Sequence, residues 1–255
     1  MPRFSANISM MFCEYVFLDR FSAARDAGFE AVEFLFPYDH TPDEIGRAVS
    51  QTGLAISVFN FFPGNWQAGE RGMAAIPGRE AEFQATVKRA LPYAREVGAK
   101  CLHMMAGLAL PDAKTEAVYL DNIRYAGDTL AEAGLDLLIE PINSRSMPGY
   151  FLSTVAQAID LINQVSHPNV RLQFDIFHHQ IMQGDVVCSL SDCIGQIGHI
   201  QIAGVPDRHE PDTGELNYVE IFRHIDCIGY NGWVGCEYVP RNGTVEGLSW
   251  LESVR

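Results

Sequence analysis

The sequence predicts a (β/α)₈ barrel that occupies the whole chain, residues 1–255, as a single domain. Short, mostly apolar runs alternate eight times with longer amphipathic stretches, the order expected of parallel strands with helices outside them. A glycine ends five of the helical stretches just before the next strand, which indicates one repeated unit. The length of 255 residues also matches the roughly 250 residues that one such barrel uses.

Each predicted strand is a run of four or five residues, and each is followed by a predicted helix. The strands are Phe4–Ile8, Ala31–Phe34, Ala55–Phe59, Lys100–Met104, Asp136–Glu140, Arg171–Asp175, His199–Ile202 and Trp233–Glu237. The helices are 17–27, 42–52, 79–97, 115–133, 153–164, 179–193, 218–228 and 245–254. The five junction glycines are Gly28, Gly53, Gly98, Gly134 and Gly229. An open doubly wound sheet has the same alternation, but eight units and the absence of G-x-G-x-x-G after the first strand favour a closed barrel.

The composition restricts the classes of partner. A net charge of −14, with 18 basic against 32 acidic residues, argues against nucleic acid as a partner. If the substrate is a small anion, a metal ion or a few arginines must supply the positive charge that binds it. The chain has no apolar run of the roughly 20 residues that span a bilayer, so no membrane partner is expected.

Cysteine usage and the first residues predict the cellular compartment. The six cysteines are scattered without a C-x-x-C pair, and most have apolar neighbours, as buried thiols do. The opening Met-Pro-Arg-Phe-Ser has no apolar signal core. We therefore expect a cytoplasmic protein.

Oxygen-bearing side chains lie on the last four predicted strands. Glu140, Asp175 and Glu237 end strands five, six and eight, and Gln201 lies in strand seven. Because strand ends converge above a barrel, these side chains should meet, and close carboxylates repel one another unless a cation lies between them. Hard oxygen ligands in this number predict Mg²⁺ or Mn²⁺. The alternative is that each acid separately caps a helix or pairs with an arginine.

Further polar residues follow the strands and are candidates for substrate binding. His178, three residues after Asp175, can reach a substrate oxygen from the first turn of its helix, whereas His179 is a weaker candidate. Arg71, Arg145 and Arg208 lie in connections that follow strands, and a guanidinium group matches a carboxylate. We predict that Arg208, Arg71 and the adjacent Glu70 bind substrate, although an arginine here could instead pair with Glu70, Asp207 or Glu210.

Several motifs together resemble those of the hydroxypyruvate isomerase family, which includes 2-oxo-tetronate isomerases and belongs to the xylose-isomerase-like barrels. The motifs are Phe34-Leu-Phe-Pro-Tyr38, Ala68-Gly-Glu-Arg-Gly72, Pro77-Gly-Arg-Glu80, Ile139-Glu-Pro-Ile-Asn143, His209-Glu-Pro211, Gly214-Glu-Leu-Asn-Tyr218 and Gly232-Trp-Val-Gly-Cys-Glu-Tyr238. The resemblance implies that Glu140 and Glu237 are catalytic. It also implies a divalent-metal site of Glu140, Asp175, Gln201 and Glu237. Related ketose epimerases usually have histidine at the position of Gln201, and Arg208 resembles one of their substrate-contacting arginines.

The expected reaction interconverts hydroxypyruvate and tartronate semialdehyde. The two glutamates would move a proton between adjacent carbons, and the metal would stabilise the enediolate. Either glutamate could be the first base. The alternatives are a 2-oxo-tetronate isomerase (2-dehydro- to 3-dehydro-tetronate), a ketose 3-epimerase, a non-catalytic sugar-acid binding protein, and a metal-dependent endonuclease, which the charge disfavours.

Two long connections follow strands three and seven, where a barrel has its active site. The first contains Phe61, Phe62 and Trp66, which could line the pocket, pack in the core or contact another subunit. A homo-oligomer is therefore one of the outcomes that the sequence leaves open.

Overall fold

Eight parallel strands form a closed barrel in chain order, which confirms the predicted fold. The structure is a computed structural model that describes residues 1–252. The strands are β1 Arg3–Asn7, β2 Ala31–Phe34, β3 Ala55–Asn60, β4 Cys101–His103, β5 Asp136–Ile139, β6 Val170–Asp175, β7 Ile197–Ile202 and β8 Trp233–Cys236. The first strand pairs with the last, with Phe4 opposite Val234, so the sheet has no free edge.

Helices cover the outside of the barrel. Within residues 1–252 they are α1 Arg20–Asp26, α2 Pro42–Thr52, α3 Glu80–Val97, α4 Ala113–Glu132, α5 Val155–Val165, α6 Ile176–Met182, α7 Val186–Cys193, α8 Tyr218–Cys227 and α9 Ser249–Glu252. The five junction glycines have φ between 65° and 88°, the left-handed conformation that ends a helix. None of the described helices is both long enough and apolar enough to cross a membrane.

Two predicted helices differ from those observed. The single helix predicted over 179–193 is wrong, because Gly184 (φ 68°) and Asp185 (φ 51°) are both left-handed and separate α6 from α7. The helix predicted over 245–254 begins as a 3-10 turn, Glu246–Leu248, and continues as α9. Its last two residues lie outside the described part of the chain.

The interior of the barrel contains a polar network, whereas the space between strands and helices is apolar. Within the barrel, Ser5 and Ser57 share a hydrogen bond of 2.7 Å, and Glu33 contacts His199 at 2.7 Å. All four are buried. Phe34, Phe59 and many other apolar side chains pack outside the strands against the helices. The predicted site residues converge at the carboxyl ends of the strands, and the polar network lies below them inside the barrel.

Candidate active site

A cavity of about 280 Å³ opens at the carboxyl ends of the strands. Its lining consists of Met10, Leu35, Phe36, Asn60, Trp66, Arg71, His103, Met105, Glu140, Ile142, Ser146, Met147, His178, Arg208 and Glu237. A concavity of about 320 Å³ at the opposite end of the barrel is lined in part by Arg3, Glu30 and Trp233. We assign the site to the first cavity, because barrel chemistry is built at the carboxyl ends and the predicted acids lie there.

Three buried carboxyl groups and one imidazole lie close together here, and all of them except Asp175 line the cavity. Glu140 follows β5, Asp175 ends β6, His178 lies in the first turn of α6 and Glu237 follows β8. One ligand atom from each of the four lies within 4.8 Å of the others. The prediction that acids of different strands converge is therefore confirmed for Glu140, Asp175 and Glu237.

The acids fit a metal cation. Oε1 of Glu140 and Oδ2 of Asp175 are buried without a hydrogen-bond partner in the described part of the chain. Burial raises the pKa of Glu140, Asp175 and Glu237, and repulsion from neighbouring carboxylates, including Glu33, adds to the effect. The pKa of Glu237 rises to about 8. Buried, mutually repelling carboxylates with unused lone pairs are a donor set that a hard divalent cation stabilises, so this cluster could bind one.

His178 is held in the tautomer that donates toward the acids. The backbone N–H of Asn143 lies 3.4 Å from Nδ1 of His178, and a backbone N–H can only donate, so Nδ1 is the acceptor. Burial lowers the pKa of His178, so the ring is neutral and its proton lies on Nε2. That nitrogen is 3.5 Å from Oδ2 of Asp175 and 3.8 Å from Oε1 of Glu140. In this form His178 is a hydrogen-bond donor to the site rather than a metal ligand.

Gln201 lies on β7 between the two neighbouring acid-bearing strands, opposite Asp175 on β6. Its Oε1 accepts a 2.7 Å hydrogen bond from Gln173, and its Nε2 donates one of 2.7 Å to Glu33. An amide oxygen has two lone pairs, so one is still available to a cation. The assignment of Gln201 as a metal ligand stays a prediction.

Both carboxylate oxygens of Glu237 accept hydrogen bonds. Asn7 Nδ2 lies 3.2 Å from Oε1, and Arg208 Nη2 lies 2.7 Å from Oε2. The same Arg208 nitrogen is 3.7 Å from Asp175, and its guanidinium group lies 5.1 Å from the ring centre of Phe177. Arg208 therefore lines the cavity as predicted, but it pairs with a carboxylate of the site itself rather than with the loop acids considered from the sequence.

Arg71 and Trp66 form one wall of the cavity. The guanidinium group of Arg71 stacks 4.0 Å from the ring centre of Trp66 and donates to the backbone oxygens of Trp66 (3.0 Å) and Glu70 (2.7 Å). The carboxylate of Glu70 instead bonds Arg79 and the backbone of Asn65, apart from the cavity lining. The structure thus brings Arg71 to the site and leaves the Glu70 side chain outside it.

The three aromatic residues of this connection have three different environments. Phe61 is buried in the core beside Phe83. Phe62 packs on Tyr38, with their ring centres 5.6 Å apart. Trp66, 39% exposed, is the one of the three that lines the cavity.

Two buried residues of the site were not identified from the sequence. Glu33, fully buried, accepts hydrogen bonds from Asn7 (3.1 Å) and Ser57 (3.2 Å), in addition to those from His199 and Gln201. His103, 1% exposed, has Nε2 3.7 Å from Oε2 of Glu140, and burial lowers its pKa to about 3. The signals were present, because Glu33 is an acid inside an apolar strand and His103 ends β4.

Comparison with known proteins identifies the family of this chain. The sequence model of the family described as xylose isomerase-like TIM barrel matches residues 21–254. A 2-oxo-tetronate isomerase of Cupriavidus necator is 52% identical over 255 residues, which cover 99% of this chain and 98% of the relative. The hydroxypyruvate isomerase of Escherichia coli is 43% identical over 258 residues, with 100% of both chains covered.

A solved structure has the same fold throughout. It is titled AP endonuclease, family 2, from Brucella melitensis, and it is 50% identical, with a TM-score of 0.98 and 100% of both chains covered. Together these comparisons confirm the resemblance that the sequence motifs indicate.

Proposed function

We propose that this chain, which belongs to the xylose isomerase-like TIM barrel family and is an isomerase, interconverts hydroxypyruvate and tartronate semialdehyde. The observation that carries the proposal is the pair of buried carboxyl groups, Glu140 and Glu237, that line one small cavity beside Asp175. Proton transfer between adjacent carbons needs one carboxylate as base and one carboxyl group as acid. Burial and mutual repulsion favour a shared proton, so that one glutamate is ionised while the other is protonated.

The proposed reaction conserves every atom. One glutamate removes a proton from the hydroxymethyl carbon, and the electrons of the broken C–H bond form the carbon–carbon double bond of an enediolate. A proton is then delivered to the former carbonyl carbon, and the hydroxyl proton moves from the hydroxymethyl oxygen to the former carbonyl oxygen. His178, with its proton on Nε2, donates a hydrogen bond to the oxygens between which charge moves.

We propose Mg²⁺ or Mn²⁺ as the cofactor, held by Glu140, Asp175, Gln201 and Glu237. All four offer hard oxygen donors, which these cations prefer. A bound divalent cation supplies positive charge that lowers the energy of the enediolate. Asn7 and Arg208 orient Glu237 for this purpose, through hydrogen bonds to its two oxygens.

Arg71 is proposed to bind the carboxylate of the substrate. Within residues 1–252, Arg71 forms no ion pair, whereas Arg208 already pairs with Glu237. Arg71 therefore provides the cavity's uncommitted positive charge, and its stacking on Trp66 fixes the plane of its guanidinium group. Arg208 also lines the cavity, so it remains a proposed substrate contact.

A second candidate substrate is a four-carbon 2-oxo-tetronate. The observation that favours it is the 52% identity to the Cupriavidus necator protein named 2-oxo-tetronate isomerase. The four-carbon acid exceeds hydroxypyruvate by one hydroxymethylene group, and the same glutamates would move its carbonyl group. A volume of about 280 Å³ is small for a ligand pocket, which supports a short substrate of either length.

Other reaction classes are less well supported. The Brucella melitensis title names an endonuclease, but a net charge of −14 opposes binding to a phosphate backbone. A ketose 3-epimerase would use the same glutamates on a longer sugar, and a binding protein would not need two opposed carboxyl groups.

We also propose a cytoplasmic location, because all six cysteines are unpaired.

The test is an assay of the purified protein with Mg²⁺ or Mn²⁺ on hydroxypyruvate and on 2-oxo-tetronate. Product formation would be followed by proton NMR in D₂O, where isomerisation also introduces deuterium at carbon. Turnover of one or both acids, with none of a ketohexose and no cleavage of abasic DNA, is the expected result. Failure on both acids would overturn the proposal.

A further inference from the structure

The unused histidine of the cavity is His103, at the carboxyl end of β4. We propose that His103 binds substrate by a hydrogen bond to a substrate oxygen beside Glu140. This inference rests on the proposed function, because it deepens the account of the same cavity. His103 is not a ligand of the expected metal site, and it is not among the residues predicted from the sequence to bind substrate.

His103 is buried, yet it has no hydrogen-bond partner in the part of the chain that the structure describes. Both of its ring nitrogens are without a hydrogen-bond partner among residues 1–252, and the side chain is 1% exposed. Buried polar atoms are nearly always hydrogen-bonded, because they lose their bonds to water on folding. An imidazole always has at least one N–H to donate, in its neutral or its charged form. A ligand that enters the cavity would satisfy it.

The imidazole ring of His103 lies in the cavity wall beside Glu140. His103 lines the cavity, and its Nε2 is 3.7 Å from Oε2 of Glu140. That distance is longer than a hydrogen bond between nitrogen and oxygen, so neither group satisfies the other directly. A substrate oxygen that lies beside the two groups, on their cavity side, could accept from His103 while its carbon faces the carboxyl group.

His103 and His178 lie beside different oxygens of Glu140. His178 lies on the Oε1 side of Glu140, at 3.8 Å, whereas His103 lies on the Oε2 side. Within the described residues, His178 belongs with Glu140, Asp175 and Glu237 to the group whose polar atoms lie within 4.8 Å of one another, and His103 does not. Glu140 thus presents one oxygen toward the cation cluster and the other toward His103. The second oxygen is therefore the one placed to exchange a proton with a substrate that His103 holds.

His179 is a matched control for His103, because it is a buried histidine outside the cavity lining. Both ring nitrogens of His179 also lack a hydrogen-bond partner in the described residues, and its side chain is 4% exposed. Its ring packs on Phe174, with ring centres 4.8 Å apart, and it is not part of the cavity lining. If an unpartnered histidine only fills space, His103 and His179 should respond alike to substitution.

The experiment compares His103→Leu, His103→Gln and His179→Leu in the full chain with Mn²⁺. Gln at position 103 can place an amide N–H near the position of Nε2, whereas Leu removes the donor. The measurements are kcat and KM on the better of the two acids, the Kd of glycerate, and the Kd of Mn²⁺ by electron paramagnetic resonance. Glycerate carries a hydroxyl group in place of the reacting carbonyl group and therefore binds without isomerising.

We expect His103→Leu to lower kcat/KM and weaken glycerate binding by about 10- to 100-fold, the range for a lost hydrogen bond to a charged or strongly polar ligand. His103→Gln should recover most of that loss, and His179→Leu should stay within about threefold of wild type. Binding of Mn²⁺ should change little in any variant. Equal effects of the two Leu variants, or no effect of His103→Leu on glycerate binding, would overturn the assignment.

The two proposals fail separately. If wild type isomerises neither acid, the proposed function is wrong, while the glycerate affinities still test His103. If His103→Leu does not fold, His103→Gln and a His103→Asn variant, whose amide mimics Nδ1 instead, replace it. A Gln variant that binds glycerate no better than the Asn variant would contradict the role assigned to Nε2.

Discussion

Arg208 donates a 2.7 Å hydrogen bond to Oε2 of Glu237, and this pair joins the connection after β7 to the end of β8. The backbone of Arg208 has φ 59°, a left-handed conformation that costs free energy in a residue other than glycine. The arginine lowers the pKa of Glu237, but burial has the larger effect and raises it to about 8. The carboxyl group is therefore mostly protonated at neutral pH until a cation enters the cluster.

Replacing Glu237 by Gln should abolish isomerisation and preserve the fold. The amide is nearly isosteric and can keep polar contacts with Asn7 and Arg208, but it cannot exchange a proton as a carboxyl group does. We expect kcat to fall at least about 100-fold, with an unchanged circular dichroism spectrum. Glu30→Gln, at an exposed glutamate at the opposite end of the barrel, is the control. Activity of the Glu237 variant within about tenfold of wild type would show that Glu237 is not catalytic.

Stabilisation by a divalent cation should grow with pH. The pKa of Glu237 is raised from 4.5 to about 8, so the folded cation-free protein binds a proton that the unfolded chain releases between those values. This group's contribution to stability therefore falls as pH rises through that window. A cation needs ionised carboxylates, so it should offset the loss at the upper end.

Thermal unfolding with and without Mn²⁺ at pH 6 and pH 8.5 would measure this effect. At one fixed concentration, chosen as about 100 times the Kd at pH 8.5, Mn²⁺ adds about 2.7 kcal/mol at that pH, equivalent to about 5–10 °C in Tm for a chain of this size. The larger increase is expected at pH 8.5. Asp175→Asn is the control, since it should lose most of the increase. An equal increase at both pH values would contradict the prediction.

Replacing Arg71 by Met should raise KM. The variant removes the cavity's uncommitted positive charge, so we expect about a 10- to 100-fold increase, as for a lost hydrogen bond to a charged group. Arg89→Met is the matched control, because Arg89 also stacks on aromatic rings, 4.6 Å from the centres of Tyr38 and Phe62, outside the cavity. Steady-state kinetics of both variants would decide. Equal KM values would remove Arg71 from the substrate site.

Replacing Glu33 by Gln should destabilise the barrel. The carboxylate accepts hydrogen bonds from four buried donors, and an amide NH₂ would face one or more of those donors instead. We expect a loss of about 2–4 kcal/mol in the free energy of unfolding, because buried donors would be left without acceptors. Urea denaturation would measure it, again with Glu30→Gln as the control. A change below about 0.5 kcal/mol, the range of an ordinary surface substitution, would contradict the account of this network.

The strands and the acids were predictable because both depend on local pattern. Apolar runs bounded by glycine predict strands wherever they occur, and an acid at a strand end is visible in the sequence. The break at Gly184 and Asp185 was missed, although glycine and aspartate are residue types that favour the left-handed conformation. The sequence pattern therefore predicts how many strands and helices there are better than it predicts where a helix is interrupted.

Side-chain partners were less predictable, because they depend on contacts across the barrel. Arg208 was expected to bind substrate or a nearby loop acid, yet it bonds Glu237, which is 29 residues away. Phe61, Phe62 and Trp66 are close in sequence and chemically similar, yet they have three different environments. Phe61 lies in the core, Phe62 packs on Tyr38, and Trp66 lines the cavity, which only the three-dimensional structure reveals. Metal binding by Gln201, catalysis by the glutamates and substrate binding by His178, Arg208, Glu70 and Arg71 stay predictions.

The hydrogen bond between Asn7 and Glu237 has a consequence for biosynthesis. These residues are 230 positions apart, on the first and last strands, and they meet only where β1 pairs with β8. A ribosome must therefore synthesise β8 before Glu237 can be oriented, however early the first strands fold. Contacts of such long sequence separation slow folding. A nascent or truncated chain that lacks β8 should have no isomerase activity, so the protein becomes active only after β8 has been made and has paired with β1.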